Sequence, residues 1–373
     1  MASMKALVYN GPHSKKWTDV PKPKILKPTD AIVKVTATTI CGTDLHILKG
    51  DVPEVSKGRI LGHEGIGIID SVGESVASFK KGDRVLMSCI TSCGSCVYCS
   101  RNLQSHCLDG GWILGHLIDG TQAEYVRIPF ADNSLYSIPK KLKDESVLCL
   151  SDALPTGYEV GVLAANVQPG DTVAIIGAGP VGLSVLMTTQ FFSPAIIIMI
   201  DTDDMRLEAS KELGATHTIN PTKLKSSSTT NTSSALLDAI SAIKAEVDGP
   251  DVPANQQAKP GVDVAIECVG IPQTFDTCQQ IIAPGGRIAN VGVHGSKVDL
   301  QLQDLWIKNI QISTGLVSAN TTRALLKSVQ SNKIKPDLLV THKFNLSDIE
   351  RAYEVFGRAA EEKAIKVLLQ VDD

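Results

Sequence analysis

Apolar and polar positions change rhythm once along this chain. Up to about residue 150, apolar residues come in short β-rich runs, Met4–Tyr9, Ala31–Thr39, Ile66–Val72 and Asp83–Met87. Each is closed by Pro, Gly or Asp, as strands are. Pro21, Pro23 and Pro28 bar a helix between the first two. Gly58, Gly62, Gly65 and Gly67 allow sharp turns around His63 and Glu64. An irregular β-rich unit with long loops suits the carriage of a site.

Beyond Cys149 the rhythm becomes an alternation of strand and helix patterns. Ser151-Asp152 stands ahead of an apolar helical pattern with Pro155 in its first turn, which reads as a helix start. Strands are predicted at Thr172–Ile176, Ala195–Ile200, His217–Ile219, Val262–Glu267, Gly286–Val291 and Ile310–Leu316. Helices are predicted at Leu183–Phe192, from Asp201 to about Leu213, near Thr321–Ser331 and at Ser347–Phe356, with a last strand at Ala364–Val371. Such alternation predicts an α/β, doubly wound parallel sheet. A Ser/Thr run at Lys225–Ser234 and a Pro/Gly-rich run at Asp248–Pro260 flank a helical Ala235–Ala245. This region reads as a surface insertion, with a plain spacer as the simpler reading. Thr172 to Ile200 carries no charge and is long enough to span a membrane. Its glycines and prolines and the lack of a basic flank argue for two strands and a helix instead.

Composition narrows the classes. At roughly 150 residues per domain, 373 residues suggest two domains. A hydrophobic fraction of 43% allows a large core. A net charge of -4 and 4% aromatics argue against nucleic acid as a partner. Nine cysteines, four of them between 93 and 107, do not form a secreted disulfide pattern. They suit reduced thiols in a cytoplasmic protein, partly used for metal, and Met1–Lys5 has no apolar signal core.

Three motifs carry chemistry. Cys93, Cys96, Cys99 and Cys107 can close a tetrahedral all-thiolate zinc site that fixes a loop. An iron–sulfur cluster is the rival, and a nucleic-acid zinc ribbon fits less well, since such ribbons pair two separated knuckles. Gly177-Ala178-Gly179-Pro180-Val181-Gly182 follows a predicted strand and opens a helix, with Asp201 ending the next strand. That context is a dinucleotide fingerprint: Gly177 for the turn, Gly179 for approach of the pyrophosphate, Gly182 for close packing, Asp201 for the ribose hydroxyls. Asp201, Asp203 and Asp204 would repel a 2′-phosphate and favour NAD over NADP, while Arg206 could cover the adenosine or meet a phosphate. The third motif is Cys41, His63 and Asp152, three ligands that would leave an open position for a catalytic zinc. Singly, each has a plain reading as a core thiol, a satisfied imidazole and a helix cap.

Cys41-Gly42-Thr43-Asp44-Leu45-His46, Gly62-His63-Glu64, the four-cysteine loop and the Gly177 fingerprint stand in one order along nearly the whole chain. In this the chain resembles the zinc-dependent medium-chain alcohol dehydrogenases. Asp152, where many members have a second cysteine, makes it most similar to the tetrameric secondary-alcohol dehydrogenases with a Cys/His/Asp catalytic zinc. The resemblance implies a GroES-like catalytic domain at 1–153, completed by 319–373. It implies an NAD-binding Rossmann domain at 154–318, with the insertion near 223–260 departing from the usual pattern. It implies two zincs per chain and a homotetramer, or else a dimer, joined through the strand near Ile310–Leu316. Thr43 would take the alcohol proton and pass it, through the nicotinamide ribose, to His46 at the surface, where a role-free surface histidine is the alternative. Glu64 would approach zinc transiently or act only behind His63. Thr156, Val291, Val293 and Leu316 would lie about the nicotinamide, Lys366 near the pyrophosphate, and Trp112 and Leu114 at the wall of the substrate pocket, with core packing as the other reading of Trp112. The function implied is reversible hydride transfer between an alcohol and NAD. A polyol or sugar dehydrogenase is the runner-up, and a non-catalytic zinc- and dinucleotide-binding protein is the alternative of another class.

Overall fold

The computed structural model describes residues 2–224, 232–249 and 260–371. Much of the expected insertion, 225–231 and 250–259, therefore lies outside the described residues. The chain divides into two units, Met1–Pro155 with Val317–Asp373, and Thr156–Leu316.

In the first unit, strands β1 (Ser3–Gly11) and β2 (Ser14–Pro21) form an antiparallel hairpin. Then come β3 (Ala31–Thr39), helix α1 (Gly42–Lys49), β4 (Gly65–Val72), β5 (Arg84–Met87), β6 (Tyr125–Ile128) and β7 (Leu135–Ser137). Helix α1 was not expected. Its eight residues fall below the length at which apolar periodicity is readable, and a left-handed Gly50 closes it at φ 90°.

The boundary between the units falls within a one-turn helix, Ala153–Thr156, which runs into a π-helical segment, Gly157–Leu163, of the second unit. Asp152 stands immediately ahead of the one-turn helix. It sits at φ −147°, ψ −65°, after a 3-10 turn, Leu148–Ser151. Strands β8 (Thr172–Ile176), β9 (Ile196–Ile200), β10 (His217–Ile219), β11 (Val262–Glu267), β12 (Ile282–Asn290) and β13 (Gln311–Thr314) make one parallel sheet in the order β10-β9-β8-β11-β12-β13. Helices α2 (Pro180–Thr189), α3 (Asp204–Glu212), α4 (Thr232–Asp248) and α5 (Pro272–Ile281) connect them. β8 and β9 are buried along their whole length, because a parallel strand covered on both faces has no solvent side. That explains the uncharged run from Thr172 to Ile200 without a membrane. No helix among the described residues is long and apolar enough to cross one.

The chain then returns to the first unit with α6 (Thr322–Gln330), β14 (Val340–Asn345), α7 (Ile349–Gly357) and β15 (Lys366–Gln370). β15 pairs with β3 and completes a seven-stranded sheet, β14-β15-β3-β4-β5-β7, with β6 also on β3. The architecture is a mixed β-rich unit plus a doubly wound parallel α/β unit, as the strand–helix rhythm predicts.

Candidate active site

The loop between β3 and α1 delivers Cys41, which precedes the helix with extended backbone. Its amide donates to Asp44 Oδ2 at 2.9 Å, so the carboxylate of the first turn fixes the residue bearing the thiol. His63 and Glu64 arrive on the turn before β4. Gly62 is left-handed at φ +92°, and a Cβ there would sit 2.7 Å from both Gln122 Cγ and Thr121 Oγ1. The Thr38 and Thr121 hydroxyls both donate to the Glu64 carbonyl at 2.7 Å. Asp152 is held through its neighbour. Ser151 Oγ accepts from the Gly65 amide at 3.2 Å, and the Ser151 carbonyl accepts from the Cys89 amide at 3.0 Å.

These three segments bring donor atoms of Cys41, His63, Glu64 and Asp152 within 4.8 Å of one another. Asp152 Oδ2 lies 3.3 Å from His63 Nε2 and 3.8 Å from Cys41 Sγ. Zinc bonds of about 2.0–2.3 Å at tetrahedral angles set neighbouring ligand atoms roughly 3.3–3.8 Å apart. The spacing therefore fits zinc, and so does the donor set of one thiol, one imidazole and one carboxylate. Burial opposes a charged imidazole at His63. Hydrogen bonds to Asp152 and Cys41, with the nearby Cys41 and Asp44 charges, outweigh it and raise His63 well above its ordinary value. The pocket thus favours positive charge at the point where the donors converge.

Two partners were not foreseen. Asp44 is fully buried behind His63, with Oδ1 4.0 Å from Nδ1. Gln122 Nε2 donates to Asp44 Oδ2 at 3.1 Å, and Tyr353 Oη donates to Gln122 Oε1 at 2.8 Å. A carboxylate behind a ligand histidine fixes its tautomer and ring orientation. Burial raises Asp44 above the ordinary carboxylate range. Asp44 follows Cys41 by three residues, which signals a cap but not a partner for His63.

The second is Lys366, on β15. Its ammonium lies 2.6 Å from Glu64 Oε1, both side chains almost fully buried. Lys366 was expected beside a pyrophosphate; the partner the structure gives it is Glu64. Burial opposes the charge on Lys366, and the Glu64 carboxylate more than restores it. Burial likewise raises Glu64, against the pull of Lys366. The other oxygen, Glu64 Oε2, is buried without a hydrogen-bond partner. Cys149, close to this group, is fully buried, and burial pushes its thiol up to about 12.

Thr43 Oγ1 lies 3.7 Å from Cys41 Sγ, and His46 follows it one turn later on α1. His46 Nδ1 is 2.9 Å from Asp51 Oδ2, in a half-exposed pair. Trp112 stacks on His116 with ring centroids 4.3 Å apart. Leu114 is fully buried, clustered with Val33, Ile69, Val85 and Met87.

The thiol atoms of Cys93, Cys96, Cys99 and Cys107 converge within the same 4.8 Å limit. Backbone amides of Cys99 and Leu108 lower Cys96 to about 6, whereas burial pushes Cys99 up to about 12. Ser95 and Cys96 amides also lower Cys93, and burial raises Cys107. The set is closed and all-sulfur, which fits a structural zinc.

In the second unit, Gly177 turns at φ +102° at the end of β8, and its amide donates to the Ile200 carbonyl at 2.8 Å. A Cβ on Gly182 would lie 1.8 Å from the Gly177 carbonyl oxygen, while Gly179 faces open space, with only Arg206 Nη1 at 3.9 Å. Pro180 takes the first turn of α2, beside Val181. Asp201 accepts from the Ala178 amide at 2.6 Å and the Asp203 amide at 2.8 Å. These groups gather at the carboxyl ends of β8 and β9, next to the switch between β8 and β11, where open α/β sheets bind ligands. Val293 and Leu316 are exposed, Val291 is buried with its amide on the Glu267 carbonyl, and Thr156 lies just before the π-helical segment.

The profile described as "Alcohol dehydrogenase GroES-like domain" matches residues 27–140, and "Zinc-binding dehydrogenase" matches 180–331. An alcohol dehydrogenase of Cupriavidus necator is 34% identical over 95% of this chain and 96% of its own. The structure of zinc dependent alcohol dehydrogenase 2 from Streptococcus pneumonia, in its apo form, is 54% identical over 99% of both chains, with a TM-score of 0.88. Alcohol dehydrogenase TADH from Thermus sp. ATN1 is 31% identical over 99% of this chain and 100% of its own, with a TM-score of 0.85. With both zinc-type ligand sets formed in its first unit and the glycine turn in its second, the chain belongs to the zinc-dependent medium-chain alcohol dehydrogenase family.

Proposed function

We propose that this enzyme interconverts secondary alcohols and ketones with NAD, and that it works as a homotetramer in the cytoplasm. The observation that carries the reading is the convergence of Cys41, His63 and Asp152, with Glu64 turned to Lys366 at 2.6 Å. Three ligands and a withheld fourth leave a position for an alcohol oxygen. Zinc held there supplies Lewis acidity, which lowers the pKa of a bound hydroxyl. Asp44 keeps the His63 ring oriented. Thr43, beside Cys41, receives the hydroxyl proton, and His46, near the solvent end of α1 and anchored by Asp51, releases it. The carbon gives its hydride to the nicotinamide, so two electrons and one proton pass to NAD and the second proton leaves through His46. The carboxylates of Asp201 and Asp203 at the ribose end favour NAD, with Arg206 3.9 Å from Asp203 and partly neutralised by it. Strand β13 ends its sheet, and Trp306 and Ile307 close by are 71% and 70% exposed, which supports pairing between copies along that edge. Nine free thiols suit a reducing compartment.

Initial rates with NAD on both enantiomers of 2-butanol, on benzyl alcohol and on sorbitol test the substrate class. Highest kcat/KM on one 2-butanol enantiomer is expected. Preference for sorbitol or benzyl alcohol overturns the secondary-alcohol reading, and preference for NADP overturns the role given to Asp201.

A further inference from the structure

A cavity of about 360 Å3 lies within the first unit, against the four-cysteine loop. Its size is near the lower end of small-molecule sites, about 300–1,000 Å3. Its lining is almost wholly polar and uncharged, with the hydroxyls of Ser88, Ser92, Tyr136 and Ser318 and the amides of Asn133 and Asn320, and no carboxylate contributes to it. The one charged side chain at its wall among the described residues is Arg323, which is exposed to solvent.

The walls are fixed in advance. Asn320 Nδ2 donates to the Asn102 carbonyl at 3.1 Å and to Gln104 Oε1 at 2.8 Å, tying the stretch before α6 to the cysteine loop. Asn133 Nδ2 donates to the Cys93 carbonyl at 3.3 Å. Tyr136 Oη donates to the Ala319 carbonyl at 3.0 Å, and the Arg323 guanidinium lies 5.9 Å from the centre of its ring. The nearby carboxylate of Asp132 is occupied by the amides of Ala77 and Ser78 at 3.0 and 2.8 Å. Arg323 sits in the first turn of α6, a nine-residue helix that no side chain caps. A guanidinium and a helix N-terminus at one end of a cavity attract an oxyanion. Ser88 Oγ accepts from the Ile90 amide at 3.2 Å and Ser318 Oγ lies 3.2 Å from Ser105 Oγ; because a hydroxyl can both donate and accept, such a lining matches a ligand that itself carries hydroxyls.

The geometry points to a binding site for a small phosphorylated, hydroxyl-bearing molecule beside the four-cysteine loop, whose Cys99 is part of its lining. Its phosphate meets Arg323 and the start of α6, and its hydroxyls meet Ser88, Ser92 and Ser318. Calorimetric titration of the zinc-loaded protein, with saturating NADH to occupy the dinucleotide site, tests this with glycerol 3-phosphate, inorganic phosphate and glycerol. One glycerol 3-phosphate per chain is expected, bound more tightly than phosphate, with no heat from glycerol. Arg323→Gln should weaken binding at least about tenfold, the loss of a charged hydrogen bond, and Arg323→Lys should restore part of it. Alcohol turnover without the phosphate should be unchanged in both variants. No saturation below about 10 mM, or phosphate bound as tightly as its ester, overturns the proposal. So does full affinity in Arg323→Gln.

Discussion

Removing the amine of Lys366 should destabilise the first unit more than an ordinary core substitution does. Lys366→Met leaves the Glu64 carboxylate almost fully buried, with its charged partner gone from 2.6 Å. At that distance the attraction is about 6 kcal/mol for an effective dielectric constant of about 20. Part of it already offsets the desolvation of both groups, so the expected net loss is about 3–5 kcal/mol. Glu64 can limit the loss by binding a proton, since burial already raises its pKa. Glu64→Gln in the same chain removes the stranded charge, so the double variant should recover at least about 1.5 kcal/mol relative to Lys366→Met alone. Urea unfolding after chelator treatment is the suitable assay, because Glu64 then cannot exchange its amine for a metal. Trp17 and Trp112 report on the first unit, and a Trp306→Phe background removes the signal of the second. A loss below about 1 kcal/mol in Lys366→Met would refute the buried pair as a stabilising element.

Three further outcomes follow from the same geometry. Asp44→Asn should cost about 10–100-fold in affinity for the His63-bound zinc, read by competition with a chromophoric chelator, while the four-cysteine zinc stays; an unchanged affinity removes Asp44 from the support of His63. Gly182→Ala should abolish NADH binding, followed by fluorescence, because its Cβ would lie 1.8 Å from the Gly177 carbonyl oxygen; retained binding would show that the turn can open. Asp132 is held below its ordinary 3.8, because the Ala77 and Ser78 amides outweigh its partial burial. A depressed folded pKa gives stability above pH 3.8 that is lost as pH falls through the folded value. Asp132→Asn should therefore cost about 1 kcal/mol at neutral pH and nothing once both forms are protonated, and a constant difference across an acid titration argues against the linkage.

What was legible in the sequence was whatever local chemistry fixes. The glycine turn is readable because only glycine survives a carbonyl oxygen 1.8 Å from the Cβ position at Gly182. The cysteine loop is readable because four ligands fit within 15 residues. β8 and β9 are readable because a strand buried on both faces must be apolar throughout. The eight-residue α1 was not, since it is too short to leave a period, and the helical pattern after Asp152 did not tell that the chain winds there as a π-helix.

The sequence by itself determined the donors and the folds that carry them: Cys41, His63, Asp152, the four-thiol loop, the alternation of strand and helix. Tertiary structure alone decided which charges stand behind those donors. Asp44 meets His63 across 19 positions and Lys366 meets Glu64 across 302. Such pairs leave no periodic trace: β15 and β4 both lying against β3 bring Lys366 to Glu64, and α1, following β3, brings Asp44 to the turn before β4. A buried charge must find its partner wherever the fold brings one, and only the folded chain says where that is.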